Sequence, residues 1–397
     1  MKKLFFTALL SLMVLGVHAQ KKTFKAAKKA FNKKDYTTAI DLAKQCAANA
    51  ETQDNPEVYK IIGQANMYLF NEDLTQLSLA QASFDNFETA IEKGGDKMKD
   101  DLMEDVVLNA ENVWLAGGKG LMYLQNMLNR QGNVHFEAQE YDKSYEYFLI
   151  SSKIIPDDIV MSFYVGYSAY GSDKDKEALE NYMRVIELNE ALPEEQKFAN
   201  TQFAYNGLID IYFARQEDYD NALKYIRMAK EAYPDEKLYK DYEIDVLIKS
   251  EKMDEAIQGL KDVAASGNAT KTTYYTMAFL YWNSENFDEA LKAADLALGL
   301  DPEYYDALYV AGSVHYNLAY EKLKAANNTD DDAEYQKLKK EAYAKFREAM
   351  PYFEKGIVQR PEDTYFLNPL STIYDQLDMD DKRDEILDRI AKIEGND

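Results

Sequence analysis

Apolar and small residues recur along most of the chain at offsets of three and seven, with charged residues between them. In FDEALKAADLALGLDPE, Phe287, Ala290, Ala294 and Ala297 fall at i, i+3, i+7 and i+10, one face of a helix that Pro302 then stops. That face is mostly alanine. It buries little by itself but lets a second helix approach closely. The same offsets carry Met253, Ala256, Leu260 and Val263, and again Tyr219, Ala222, Ile226 and Ala229. They return at Ala178, Tyr182 and Val185, at Tyr141, Ser144, Phe148 and Ser151, and at Phe346, Ala349, Phe353 and Gly356. Near the start, Tyr36, Ala39, Ala43 and Cys46 fit, and Ser83, Phe87 and Ala90 form a looser copy.

The small residue of each copy is an anchor, and its spacing sets the architecture. Ser144 to Ala178, Ala222 to Ala256, Ala256 to Ala290 and Ala349 to Arg383 are each 34 residues. That period, carried by paired amphipathic helices, resembles the tetratricopeptide repeat. About twelve residues before the anchors, the preceding helices carry small residues such as Gly132, Gly166 and Ala278, with Gly63 and Gly312 in the same role at longer spacing. The resemblance implies that this residue meets the anchor alanine of the second helix. The tryptophan that opens the family's repeat is replaced by Leu128, Ser162, Asn206, Tyr274 and Leu308.

The resemblance implies an all-α, right-handed solenoid of helix-turn-helix units over residues 20–397, about nine helix pairs and no sheet. Departures from the period mark insertions near residues 95–125 and 318–345. Ser83 to Ser144 spans 61 residues, and Gly312 lies 37 residues before its anchor Ala349. Two long hairpins are expected there, the second turning at Asn327–Asp332. Gly117-Gly118-Lys119-Gly120 lacks the spacing and the Ser/Thr of a phosphate loop and is expected to kink a long helix. Helices over 365–393 cap the array, with charged Arg383 at the anchor place of a helix that faces water.

Residues 1–19, MKKLFFTALLSLMVLGVHA, combine Lys2 and Lys3, an apolar run from Leu4 to Val17 and a small-residue site at Ala19, the pattern of a cleaved secretory leader. The mature chain is then expected in the periplasm, with no integral membrane span. The net charge of −24 argues against nucleic acid and anionic lipid as partners. KKTFKAAKKAFNKK is the local exception, either a solvated outer face or a docking patch for an acidic partner. Cys46, the single cysteine, excludes an intramolecular disulfide and sits on an apolar face.

Catalytic chemistry finds no constellation here, so no enzyme activity and no cofactor are expected. Beyond the leader only His135 and His315 remain, both at the repeat position that holds Tyr281 elsewhere, where packing explains them. No metal site is expected, and Asp330, Asp331 and Asp332 read as a solvated hairpin tip.

Binding is expected on the concave face that the resemblance gives to the first helix of each pair. The inward stripe leaves Asn126, Asn129, Asn133 and Phe136 on that face of one helix, and Phe163, Tyr167 and Tyr170 on the next. Further on come Tyr275, Phe279, Trp282 and Asn283, then Tyr309, Tyr316 and Asn317. Rings offer contact area at low entropic cost, and asparagine amides offer a paired donor and acceptor to a peptide backbone. Packing between repeats competes as an explanation for the rings. Family members often clamp peptide carboxylates with groove lysines and asparagines. Lys28 and Asn32 match that description, whereas Asp241 and Asp245 put a general clamp in doubt. The expected function is a non-catalytic scaffold for peptide segments or protein partners; a carbohydrate-binding or nutrient-uptake accessory protein is the alternative. Partner identity and oligomeric state stay open. N-terminal sequencing of the mature protein from the soluble periplasmic fraction should start at Gln20; an intact Met1 refutes the cleaved leader.

Overall fold

The computed structural model describes residues 21–103 and 118–395; the leader and residues 104–117 of the first insertion lie outside the described residues. The chain divides into two compact units, one ending at Tyr225 and the other beginning at Ile226. The first unit opens with α1 over residues 21–32, then α2 (Tyr36–Ala47), α3 (Pro56–Glu72), α4 (Leu77–Gly94) and the short α5 (Asp96–Leu102). It continues with α6 (Leu121–Glu137), α7 (Tyr141–Ser152), α8 (Ile159–Gly171), α9 (Asp175–Glu190) and α10 (Thr201–Asp210), and ends within α11 (Tyr219–Ala232). The second unit adds α12 (Lys237–Lys249), α13 (Met253–Ala265), α14 (Lys271–Asn283), α15 (Phe287–Leu300), α16 (Tyr305–Asn327), α17 (Asp332–Gln359), α18 (Thr364–Gln376) and α19 (Asp380–Glu394). Within each unit successive helices pack on one another, and no strand occurs among the described residues. The fold is an all-α solenoid of helix pairs.

Acidic and amide side chains start many of these helices. Asp35, Asn55, Asp158, Asp331 and Asp363 each accept a hydrogen bond from a free backbone N–H of the first turn. Asp331 thereby has a structural task at the tip between the lengthened α16 and α17, and no cluster able to hold a metal occurs among the described residues.

The anchors Ala39, Ser144, Ala178, Ala222, Ala256, Ala290 and Ala349 have no exposed surface. The expected glycine–alanine contact needs correction: what fills the space at the glycine is a ring four residues after the anchor. A Cβ on Gly132 would stand 2.5 Å from the Phe148 ring, one on Gly63 2.6 Å from Phe87, and one on Gly312 3.0 Å from Phe353. Where α15 offers only Ala294 at that place, α14 carries Ala278 instead of glycine. In α12 and α13 the sizes are exchanged, and a Cβ on Gly259 of the second helix would stand 3.3 Å from Ile244 of the first. Volume is complementary pair by pair, as close packing demands. The histidines join the same layer. His135 stacks on Tyr147 at 5.3 Å and His315 on Tyr352 at 5.9 Å, each tyrosine three residues after its anchor. Cys46 is fully buried, and burial pushes its thiol pKa up.

The glycine cluster is a second correction. Gly118 and Lys119 are not helical, and Gly120 is the extended residue from which α6 starts, so it begins a helix instead of kinking one. A Cβ on Gly120 would lie 2.1 Å from the Leu102 carbonyl oxygen, so only glycine allows this approach to the end of α5.

Seven pairs share one turn. Lys34, Gln139, Asp173, Glu217, Glu251, Glu285 and Asp378 are all left-handed, with φ between 53° and 61°, and each lies five residues before its anchor. In six of them the next residue's N–H donates to the carbonyl five residues back, as Lys252 does to Leu247 and Asn286 to Tyr281, both at 2.9 Å. That is the Schellman closure of a helix C-terminus. In the seventh, Asp218 donates six residues back to Tyr212, because a π turn over Ile211–Arg215 holds one extra residue. Left-handed backbone costs an L residue about 1 kcal/mol or more. Glu251→Gly should therefore leave stability unchanged or raise it by up to about 1 kcal/mol, while β-branched Glu251→Val lowers it. Urea unfolding of both variants checks this; equal losses would mean the turn is not strained.

Candidate functional site

In the second unit the first helices α14, α16 and α18 lie side by side and carry a continuous run of rings. Tyr275 meets Phe279 at 6.2 Å, Phe279 meets Trp282 at 6.1 Å, Trp282 meets Tyr309 at 5.7 Å, and Tyr309 meets Tyr365 at 6.2 Å. The spacing of Tyr275, Phe279 and Trp282, four and then three residues, sets them on one face, while Met277, Ala278 and Tyr281 are buried on the other. The last three contacts are edge-to-face, with interplanar angles of 68°, 83° and 81°. The run opens to solvent at Tyr365, which is 72% exposed. Asn283 is exposed beside it on α14. Tyr316 turns instead to its own pair, 5.8 Å from Phe346 and 4.8 Å from Tyr320, with Asn317 half-buried next to it.

Tyr365 escapes a reading by the repeat period, because it sits nearer the start of its helix than the other rings do. Its signal is local: Asp363 caps α18, and buried Phe366, Leu367 and Leu370 define the inward face, which turns Tyr365 outward.

In the first unit the rings of α6 and α8 are spent largely on one another. Phe136 stands edge-on to Tyr164 at 5.2 Å and to Tyr167 at 5.1 Å; Phe163 is buried against Phe198 at 5.5 Å. Tyr170 donates its hydroxyl to Asp210 at 2.7 Å while the Arg215 guanidinium lies 4.2 Å over its ring. Asn129 accepts from Ser151 of α7, Asn126 is half-buried, and Asn133 is exposed.

A second surface lies between α1 and α3. Lys28, Phe31 and Asn32 face Lys60, Gln64 and Tyr68 across a cleft of about 460 Å³. Lys28 and Asn32 had a signal in the resemblance; the α3 residues did not.

On α12 the electrostatics are opposite. Asp241 and Asp245 are exposed, and partial burial together with Asp241 pushes the Asp245 carboxyl up. Glu243 of the same helix ties the array together. It accepts from Arg227 at 2.8 Å and from Lys230, while Arg227 also reaches Glu255 of α13 at 3.0 Å. Burial works against its charge, but Lys230 and Arg227 prevail and hold its carboxyl below the usual range.

The 34-residue period, the paired helices and their small-to-large packing define the protein's class: a solenoid of tetratricopeptide-type units. No protein-family model and no curated protein sequence matches the chain. Among solved structures it is similar to the MamA protein, at 16% identity and a TM-score of 0.39 over 50% of this chain and 94% of that one. It is similar to YrrB, described as a TPR protein with an unusual peptide-binding site, at 16% identity and a TM-score of 0.35 over 56% of this chain and 95% of that one. A TPR-repeats protein from Bacteroides fragilis is similar at 17% identity and a TM-score of 0.29, over 63% of this chain and 97% of its own. Among the described residues no helix is long and apolar enough to cross a membrane.

The depressed Glu243 pKa carries a testable sign. Its contribution is complete above the ordinary glutamate value of about 4.3 and is lost as pH falls through the lower folded value. Glu243→Gln should cost about 1–2 kcal/mol near neutral pH, and the difference from wild type should shrink as the pH is lowered into the acid range. Urea titrations in the two ranges decide it; a gap independent of pH would mean the carboxylate's charge plays no part.

Proposed function

We propose that this protein is a non-catalytic scaffold, exported to the periplasm, that holds peptide segments or protein partners on the face formed by the first helices of its pairs. The observation that carries this reading is the ring run from Tyr275 through Phe279, Trp282 and Tyr309 to Tyr365, which spans three helices and ends exposed. Rings set edge to face leave notches between them in which an apolar side chain can be enclosed, and enclosed anchors dominate interface energies. Exposed Asn283 is placed to hold a main chain beside them. Sugar stacking asks instead for an open flat face, and here three of the four contacts set a ring edge against its neighbour's face. That geometry favours a peptide over the carbohydrate alternative.

Trp282 is half-buried and touches Phe279 and Tyr309. Trp282→Ala should weaken capture of periplasmic protein partners at least tenfold, the loss of an anchor worth about 2 kcal/mol. The helical spectrum should persist, with no more than about 1–2 kcal/mol of stability lost. A loss of about 3–5 kcal/mol would make the ring a wedge between repeats. Unaltered capture would remove the ring run from the site, and selective binding on a glycan array would favour the sugar reading.

A further inference from the structure

The ring run lacks one contact that the chain makes on the rings around it. Lys261 lies 5.7 Å over the Tyr281 ring, Lys271 4.8 Å over Tyr304 and Arg360 4.0 Å over Tyr305. Tyr304 itself meets Tyr275, the first ring of the run, at 5.7 Å. Among the described residues, however, no lysine or arginine covers Tyr275, Phe279, Trp282, Tyr309 or Tyr365. The neighbouring cations are committed elsewhere: Lys271 pairs with Asp301 at 2.7 Å, and Arg360 stacks on a tyrosine whose hydroxyl donates to Asp363. The carboxylates beside the run are unpaired. Asp306, half-buried in the first turn of α16, and exposed Asp241 and Asp245 of α12 form no ion pair among the described residues. Asp241 and Asp245 stand 34 residues before Tyr275 and Phe279, the same places one repeat earlier. Asp306 acts on Tyr275 directly: burial first, and its charge next, push the Tyr275 hydroxyl pKa up. Lys249 of α12 offsets Asp245 only in part, since the Asp245 carboxyl is still pushed up.

We infer that the ring run takes an arginine-bearing peptide, whose guanidinium lies on the uncovered rings of α14 between Asp245 of α12 and Asp306 of α16. This rests on the peptide-scaffold reading and names the chemistry of its partner. A planar guanidinium suits both parts of the surface, its face lying against a ring while its N–H edge reaches a carboxylate. The chain already makes that arrangement for itself in the same unit, where Arg360 covers Tyr305 beside Asp363. Charge selects in the same sense. A net charge of −24 draws a basic segment from a distance, and the unpaired aspartates turn an acidic one away at contact. Asp241 and Asp245, which stand against a carboxylate clamp, are on this view the selective element of the groove.

The probes are two dodecapeptides of repeating leucine-arginine-glycine-glycine with blocked ends, one with arginine and one with citrulline, its neutral isostere. Each is titrated calorimetrically into the full mature chain. The arginine peptide should bind about tenfold more tightly than the citrulline peptide. Asp245→Asn and Asp306→Asn should each cut that preference about threefold and leave the citrulline affinity unchanged, which also shows that the variants are folded. Trp282→Ala should weaken both peptides. Equal binding of the two peptides by wild type, or a preference that survives both aspartate variants, would overturn the arginine site and leave the ring run standing as a peptide site. An equal loss from Asp330→Asn, exposed at the tip between α16 and α17, would overturn it too, by showing only general attraction to an acidic chain. Binding of neither peptide would overturn the arginine site and the ring run together.

Discussion

The structure depends on how each pair of helices is closed. In seven pairs a left-handed residue five positions before the anchor reverses the chain, and the N–H that follows it caps the end of the first helix. That closure fixes how far the second helix starts from the first, and so which residues oppose each other along the whole pair. With the register set, large side chains of one helix meet small ones of the other, as Phe148 meets Gly132 and Tyr182 meets Gly166, and the helices can approach closely. The strain is tolerated because it is small beside the burial it makes possible: Phe148 and Tyr182 are among the most deeply buried side chains. The π turn before Glu217 shows how firm the rule is. One extra residue in the first helix is absorbed by a hydrogen bond that spans six residues instead of five, and the anchor Ala222 keeps its distance from the turn.

Much of this was legible in the sequence, for a physical reason. Anchors such as Ala256 and Ala290 must be small to be buried between helices, so a small residue returning every 34 positions is a direct trace of the packing. The outward rings of α14 follow from the same stripe, since fixing Met277, Ala278 and Tyr281 inward leaves Tyr275, Phe279 and Trp282 to face away. The turn residues were invisible. Lysine, glutamine, aspartate and glutamate at those places are ordinary surface residues, and the glycine that usually announces a left-handed helix end is absent from all seven. The opposition of glycine to ring was misjudged because an alanine anchor looks like the natural neighbour of a small residue. Only the structure shows that the larger side chain one turn on fills the space.

The cleft between α1 and α3 was half visible for another reason. Lys28 and Asn32 lie within a periodic helix, whereas the partners of Lys60, Gln64 and Tyr68 lie 41 to 55 residues away in an insertion that breaks the period. Periodicity finds what repeats; a contact made once must be seen in three dimensions. Gly120 belongs to this case, since its need for glycine comes from the Leu102 carbonyl and not from any local turn signal.

A repeat fold separates stability from recognition more cleanly than a globular core does, because inward and outward stripes of one helix are under different constraints. In α14 the inward side is set by volume, and Ala278 has little freedom. The outward side is free to gather rings, because their mutual edge-to-face contacts hold them in place without help from the core. In α3 the outward side gathers hydrogen-bond donors instead, and buried donors do not tolerate being left empty. Rings can wait for a partner at little cost, since partial exposure of an aromatic surface is common in folded proteins. Donors such as Gln64 cannot, and a segment of the chain's own insertion fills the place. The chemistry of each surface therefore decides whether it stands open or is held closed.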